Sequence, residues 1–268
     1  TVGRRLRSIE EVLGVRLFDR TPEGYRPTPA GRDLTTVAER VEGEVLSLEG
    51  RVLGRDAKLR GRLRVSTLDI LYVGLEPLFT SFIERYPEVD LTVSATPDPV
   101  SLTRREADVA VRVTDNPPEY LVGRKIARLQ FGVYGSRELV DSRPPDAGFG
   151  DFPWLGWAEG PTASWHDAWL AENAPGARVA MRADASLVMG VANRSGVGIG
   201  LMPCFLGETD PLLKRVGPLL PLFSQDLWVL THPDTKETSR IRAFMGHIAE
   251  GVGPMLALLE GKVSGHLE

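Results

Sequence analysis

Ser66, Thr67 and Asp69, followed by Thr96, Asp98 and Ser101, place hydroxyl and carboxylate groups directly after two short apolar runs that alternate like strands. Further on, Thr162 and Ser164, then Asp184 and Ser186, stand at the starts of helical patterns. Such groups hydrogen-bond a polar ligand when they gather beyond the carboxyl ends of strands, where helix N-termini also offer unpaired N–H groups. Each serves equally well as an ordinary helix cap, a use that needs no ligand. Trp154, Trp157 and Trp165 could stack on an aromatic ligand, although packing in a core is the commoner role of such rings.

Catalytic patterns are absent. His166, His232, His247 and His266 form no HExxH pair or other metal-ligand spacing, and no Gly-x-Ser-x-Gly elbow or phosphate-binding P-loop occurs. Gly196-Val197-Gly198-Ile199-Gly200 is not a dinucleotide fingerprint: its third glycine comes one residue early, and the run precedes a strand instead of following one. No catalytic residue, metal or cofactor is therefore expected. Cys204, the one cysteine, excludes an intrachain disulfide and reads as a small core residue beside Met202 and Phe205, not as a redox switch.

The elements that would position the polar groups alternate. Leu63, Val65 and Thr67 mark a strand, Ile70 to Tyr86 a helix, Val89, Leu91 and Val93 a strand, Pro99 to Arg105 a short helix, and Ala107 to Val113 a third strand. This order predicts a mostly parallel sheet with helices on its faces. A second α/β unit follows: a crossing strand over Leu129 to Tyr134, a helix over Trp165 to Glu172, a strand over Arg178 to Arg182, and a helix over Ala185 to Asn193. The glycine-rich turn leads into a buried strand, Gln225 to Thr231 forms a return strand, and Ser239 to Leu259 a closing helix. Two lobes joined by crossing strands enclose a cleft.

The N-terminal fifth has a different character. Val2, Leu6, Ile9 and Leu13 form one apolar helical stripe with Arg4, Arg5 and Arg7 off it, and Gly14 stops the helix. Val15, Leu17 and Phe18 are followed by the turn Thr21-Pro22-Glu23-Gly24, which folds the chain back through Tyr25-Arg26-Pro27. Thr28-Pro29 opens the next helix, in which Leu34, Ala38, Val41, Val45, Leu48 and Val52 step by fours and threes as a narrow heptad seam. Such a seam calls for a partner helix, a single helix lying on its own domain being the alternative. Seven arginines against four acidic residues leave residues 1–32 at +3, whereas the whole chain is at −4, so the remainder carries −7. A net positive balance is confined to this end, as a local nucleic-acid contact requires.

Ile9-Glu10-Glu11-Val12-Leu13-Gly14, Leu17-Phe18-Asp19-Arg20 and Thr28-Pro29-Ala30-Gly31, in that order and spacing, resemble the LysR-type transcriptional regulators of bacteria. The resemblance continues from Leu63 through Tyr86-Pro87-Glu88-Val89 to Ala107-Asp108-Val109-Ala110-Val111 and into the glycine-rich turn. It implies an α/β chain comprising a partial winged helix-turn-helix (1–31), a long linker and dimerisation helix (32–57) and a two-lobed, periplasmic-binding-protein-like effector domain (61–268). The first lobe is expected over about 61–131 and 232–268, and the second over about 132–231.

By the same resemblance Thr1, Arg4 and Arg5 face the major groove of double-stranded operator DNA and Arg26, on the wing, its phosphates. The chain would act as a homodimer or homotetramer sensing a small-molecule effector. Asp69 stands where the family commonly has a small uncharged or hydroxyl residue, which speaks against a purely anionic effector. Family members place further helices ahead of the recognition helix, inside which this sequence opens; a small-molecule-binding protein lacking operator binding is the alternative. No run approaches the roughly 18 apolar residues of a membrane span, no signal peptide opens the chain, and a cytoplasmic protein is expected.

Overall fold

The computed structural model describes residues 2–21, 24–35, 37, 38, 41, 59–95 and 106–262. Helix α1 (Val2–Leu13) ends at Gly14 and leads into a hairpin of β1 (Phe18–Thr21) and β2 (Gly24–Pro27), antiparallel with Asp19 opposite Arg26. Glu10 ties helix to hairpin, its carboxylate accepting from the backbone N–H groups of Leu17 (2.7 Å) and Phe18 (3.1 Å). Thr28 closes the other side: its N–H donates to the Leu17 carbonyl (2.9 Å), its hydroxyl donates to the Arg16 carbonyl (2.8 Å), and its Oγ accepts from the N–H of Gly31 (3.1 Å). Thr28 thereby caps α2, helical over 29–35. Gly31 is required by contact, since a Cβ there would lie 1.9 Å from the Leu17 carbonyl oxygen. The separate motif residues of this end are thus one hydrogen-bonded knot around Leu17, which is buried.

The apolar stripe of α1 is only partly covered: Leu6 is half-buried, while Ile9 and Leu13 are 41% and 49% exposed. Of the seam, Leu34 is half-buried and Ala38 and Val41 are exposed; Val45, Leu48 and Val52 lie outside the described residues, as do Pro22 and Glu23 of the turn.

The first lobe is a five-stranded sheet built from β3 (Gly61–Thr67), β4 (Val89–Ala95), β5 (Val109–Val113), β6 (Val122–Leu129) and β12 (Gln225–Thr231), in the order β4-β3-β5-β12-β6. Helices α3 (Asp69–Arg85) and α8 (Ser239–Gly251) cover one face, where Leu75, Phe79, Phe82, Phe244 and Ile248 pack on Leu63, Val65, Val111 and Val229. The sheet is mostly parallel, as expected: β3, β4, β5 and β6 run in one direction, and β12 is the one strand of the five inserted antiparallel, between β5 and β6. The chain leaves the lobe along β6 and re-enters along β12, so the two crossings must run in opposite directions. Strand Gln225–Thr231 consequently belongs to the first lobe's sheet and not to the second lobe, which moves the expected boundary at 231 to before Gln225.

Three further differences have physical causes. Leu129 to Tyr134 is not one strand, because it divides at Gln130 into β6 and β7 (Phe131–Ser136), which lie in different sheets. The sequence pattern omits β6 since it is an edge strand with exposed Arg124 and Lys125, protective charges that erase alternation. The closing helix stops at Gly251 and resumes as α9 (Leu256–Leu259) after a short 3₁₀ turn, Gly253–Met255, because Pro254 has no N–H to continue the helical ladder. The Pro99 to Arg105 helix lies outside the described residues.

The second lobe contains β7 between β10 (Gly200–Pro203) and β11 (Leu213–Val216), both antiparallel to it, and a parallel pair of β8 (Trp154–Trp157) and β9 (Val179–Ala183). Helices α4 (Arg137–Asp141), α5 (Gly160–Asn173), α6 (Ser186–Arg194) and α7 (Cys204–Gly207) complete the chain. The glycine-rich turn joins the two sheets: Ile199 accepts from Leu155 N–H and donates to the Pro153 carbonyl, each at 2.8 Å. A Cβ on Gly198 would lie 2.7 Å from that same carbonyl oxygen, so the glycine serves backbone approach. Trp154 is buried with Val133, Leu170 and Ile199, and its indole N–H donates to the Phe149 carbonyl (2.8 Å). Cys204 is buried, and that burial pushes its thiol pKa up, consistent with an inert core residue.

Two outcomes follow. Phe82, fully buried against Phe244 (5.0 Å between ring centroids) and Tyr86 (4.9 Å), is expected on Phe82→Ala to cost about 3–5 kcal/mol in chemical denaturation. Gly31→Ala is expected to open the wing to limited trypsin cleavage at Arg16 or Arg20 while leaving thermal unfolding of the lobes unchanged; unaltered cleavage would contradict the close approach to Leu17.

Candidate functional site

Between the lobes lies a cleft of about 1050 Å³, walled by both. From the first lobe come the start of α3, Ala95 at the end of β4, and Val113 with Asp115 after β5. The second lobe contributes one face of α5 and the start of α6, while Leu129, Phe131, Phe223 and Ser224 line it from the two crossings. The lining thus follows the carboxyl ends of the first lobe's parallel strands, as α/β geometry dictates.

Asp69 has the most informative placement. One carboxylate oxygen accepts from Ile70 N–H (2.7 Å), at the start of its own helix, and the other accepts from Leu187 N–H (3.1 Å), at the start of α6 in the opposite lobe. A single carboxylate therefore joins the positive ends of two helices across the cleft. Thr162, Asp184 and Ser186 also line the cleft. Ser66 and Thr67 do not; both are fully buried, with the Ser66 hydroxyl accepting from Arg112 (2.6 Å) and Thr67 Oγ1 lacking a hydrogen-bond partner among the described residues. Ser164 is exposed and outside the lining, and Thr96, Asp98 and Ser101 lie outside the described residues.

The aromatic rings divide in the same way. Trp157 and Trp165 line the cleft, whereas Trp154 is core. Trp169, one helical turn beyond Trp165, joins them, and Phe223 from the return crossing packs 4.8 Å from Trp165 and 5.4 Å from Trp169 between ring centroids. The i, i+4 spacing of the tryptophans was a usable signal for Trp169; nothing local marked Phe223, which arrives from another part of the chain. Asn193 was also missed. Asn193 lines the cleft, its Nδ2 donates to the Tyr134 carbonyl (2.7 Å), fixing the amide orientation, and its buried Oδ1 has no partner among the described residues.

Charges at the crossings are tightly paired. Arg128 bonds Asp115 (3.1 Å), Asp226 (2.7 Å) and the Ser224 carbonyl (3.0 Å). Burial works to raise the pKa of Asp226, but hydrogen bonds from Lys125 and Arg128 outweigh it and hold the carboxyl below its ordinary value. Among the described residues no group of three His, Cys, Asp or Glu side chains could hold a metal ion, and no helix is long and apolar enough to cross a membrane.

Of the DNA-facing candidates, Arg4 and Arg5 lie in the first turn of α1, Arg26 is exposed on β2, and Thr1 lies outside the described residues. A helix with a hairpin wing followed by a two-lobed domain with an interlobe cleft is the architecture of a transcriptional regulator carrying an effector-binding domain. Residues 56–253 match the LysR substrate binding domain, and residues 1–32 match the bacterial regulatory helix-turn-helix protein, lysR family. The chain belongs to the LysR family of transcriptional regulators.

It is 27% identical over 267 residues to the HTH-type transcriptional regulator CrgA of Neisseria meningitidis serogroup C, covering 94% of this chain and 87% of that protein. A 24% identity over 276 residues relates it to the probable HTH-type transcriptional regulator LtrA of Klebsiella pneumoniae, covering 94% of this chain and 85% of that protein. The solved structure of CrgA from Neisseria meningitidis shares the fold with a TM-score of 0.63 at 22% identity, over 94% of this chain and 89% of that one. These relatives are regulators, and regulators of this family bind DNA and small-molecule effectors and form oligomers.

His166 supplies a pH test of the second lobe. It is 1% exposed beneath Trp154 and Trp165, with Nδ1 unbonded among the described residues; burial lowers its pKa below 6.5, with Asp167 (3.8 Å) opposing. The unfolded chain takes up this proton more readily, so the stability contribution is full above about pH 6.5 and is lost as pH falls from there toward the depressed folded value. His166→Phe is expected to flatten the thermal-unfolding profile across that acid limb; an unchanged slope would show that His166 is not the group responsible.

Proposed function

We propose that α1 and the β1–β2 wing bind double-stranded operator DNA, with Thr1, Arg4 and Arg5 toward the major groove and Arg26 toward the phosphates. The seam of Leu34, Ala38, Val41, Val45, Leu48 and Val52 pairs two copies, as dimers or pairs of dimers, within the proposed linker 32–57. A small-molecule effector occupies the cleft, with Asp69, Asp184, Ser186 and Thr162 among its polar contacts and Thr96, Asp98 and Ser101 contributed from beyond β4. The observation that supports this reading best is that one cleft is walled by both lobes, so a ligand filling it changes the preferred lobe arrangement and hence the spacing of the DNA-reading ends.

Fluorescence anisotropy with DNA from upstream of the chain's own gene tests the DNA half. Specific binding above that to scrambled duplex is expected, and its absence would instead support a small-molecule-binding protein without operator recognition. Arg26→Ala is expected to weaken all sequences alike and to reduce the salt slope by about 1, whereas Arg4→Ala or Arg5→Ala costs about 1–3 kcal/mol and relaxes sequence preference.

A further inference from the structure

The carboxylates of the cleft have no cationic counterpart in its wall. Asp69, Asp115, Glu172 and Asp184 line it, and among the described residues no lysine or arginine does. Asp115 is paired with Arg128 (3.1 Å), but neither Glu172 nor Asp184 takes part in an ion pair among the described residues. At two of the helix starts on the cleft, those of α3 and α6, the chain itself already supplies a carboxylate. Asp69 accepts from the first turns of both α3 and α6, and Asp184 stands immediately before the α6 cap. An anionic ligand would meet uncompensated negative charge, with Asp69 already bonded to one N–H at the start of each of α3 and α6.

Asn193 points independently to a donor. With Nδ2 committed to the Tyr134 carbonyl, Oδ1 is an acceptor in a side chain only 1% exposed, and an unfilled acceptor in such a place is costly unless something donates to it. Carboxylate and amide oxygens accept from the same kind of group, an N–H. Trp157, Trp165, Trp169 and Phe223 add faces that attract a cation or stack on a ring.

We infer that the effector is a cationic amine or amidine carried on an aromatic or apolar body. Its charged end lies among Asp184, Glu172 and Asp69, an N–H donates to Asn193 Oδ1, and its body packs on the Trp165, Trp169 and Phe223 rings. This assignment rests on the cleft being the effector site.

Titration of the full chain with phenethylamine, 2-phenylethanol and 3-phenylpropionate, followed by isothermal calorimetry and tryptophan fluorescence, separates the two. The three probes share a ring and differ in charge at the chain end. Phenethylamine is expected to bind about tenfold or more tighter than the alcohol, with no saturable binding of the carboxylate. Asp184→Asn combined with Glu172→Gln, both at exposed positions, is expected to remove that advantage, bringing the amine to the affinity of the alcohol. Binding of the carboxylate as tightly as the amine overturns the cation assignment and leaves the cleft reading in place. Amine binding insensitive to the double substitution places the ligand elsewhere and overturns it too, while failure of all three probes removes both the amine assignment and the aromatic cleft.

Discussion

Gln130 and Ser224 mark the points where the chain leaves the first lobe and returns to it, and the two crossings are bonded to each other. The Ser224 hydroxyl donates to Gln130 Oε1 (2.6 Å), Arg128 donates to the Ser224 carbonyl, and the Leu220 N–H donates to the Phe131 carbonyl (2.8 Å). Further bonds join Gln130 N–H to the Leu259 carbonyl and Cys204 N–H to the Gln130 carbonyl, both 2.9 Å. The second lobe is therefore attached through antiparallel crossings braced by α7 and α9, and the cleft exists because these hold the lobes face to face. A small-molecule site at such a junction is sensitive to lobe rotation, since rotation about the crossings changes every contact spanning it.

The cleft's electrostatics follow from the same arrangement. In a single α/β lobe, helix N-termini beyond a parallel sheet attract anions. Here two such ends face each other, and Asp69 bonds to both. The carboxylate supplies internally the charge that the two helix ends favour, and it does so across the boundary between the lobes. The remaining carboxylates leave the cleft lining negative.

At the other end of the chain the sequence motif has a direct physical cause. Glu10, Leu17, Thr28 and Gly31 are spaced as they are because one carboxylate bonds the start of β1, one hydroxyl caps α2 and one missing side chain admits the Leu17 carbonyl. These are short-range constraints, which is why their order in the chain identified the family from a small number of residues. The partly exposed stripe of α1 shows the reverse case: its period specifies a helix with an apolar face, yet period alone does not say what covers that face.

The sequence by itself determined the local elements, since helix caps, period-two and period-3.6 patterns and the Thr28-to-Gly31 turn all depend on neighbours a few residues apart. It also marked Asp69, Asp184, Ser186 and Trp165 as polar or aromatic groups near the cleft. Only the tertiary structure decided the antiparallel insertion of Gln225–Thr231, the edge strand Val122–Leu129, and the roles of Phe223 and Asn193. Strand direction and cleft composition depend on where distant segments return, Phe223 reaching Trp165 across nearly sixty residues, and no local preference encodes that path. The bond from Asp69 to Leu187 belongs to the same class: a carboxylate at a helix start is visible in one dimension, but the second helix it holds is brought there by the fold.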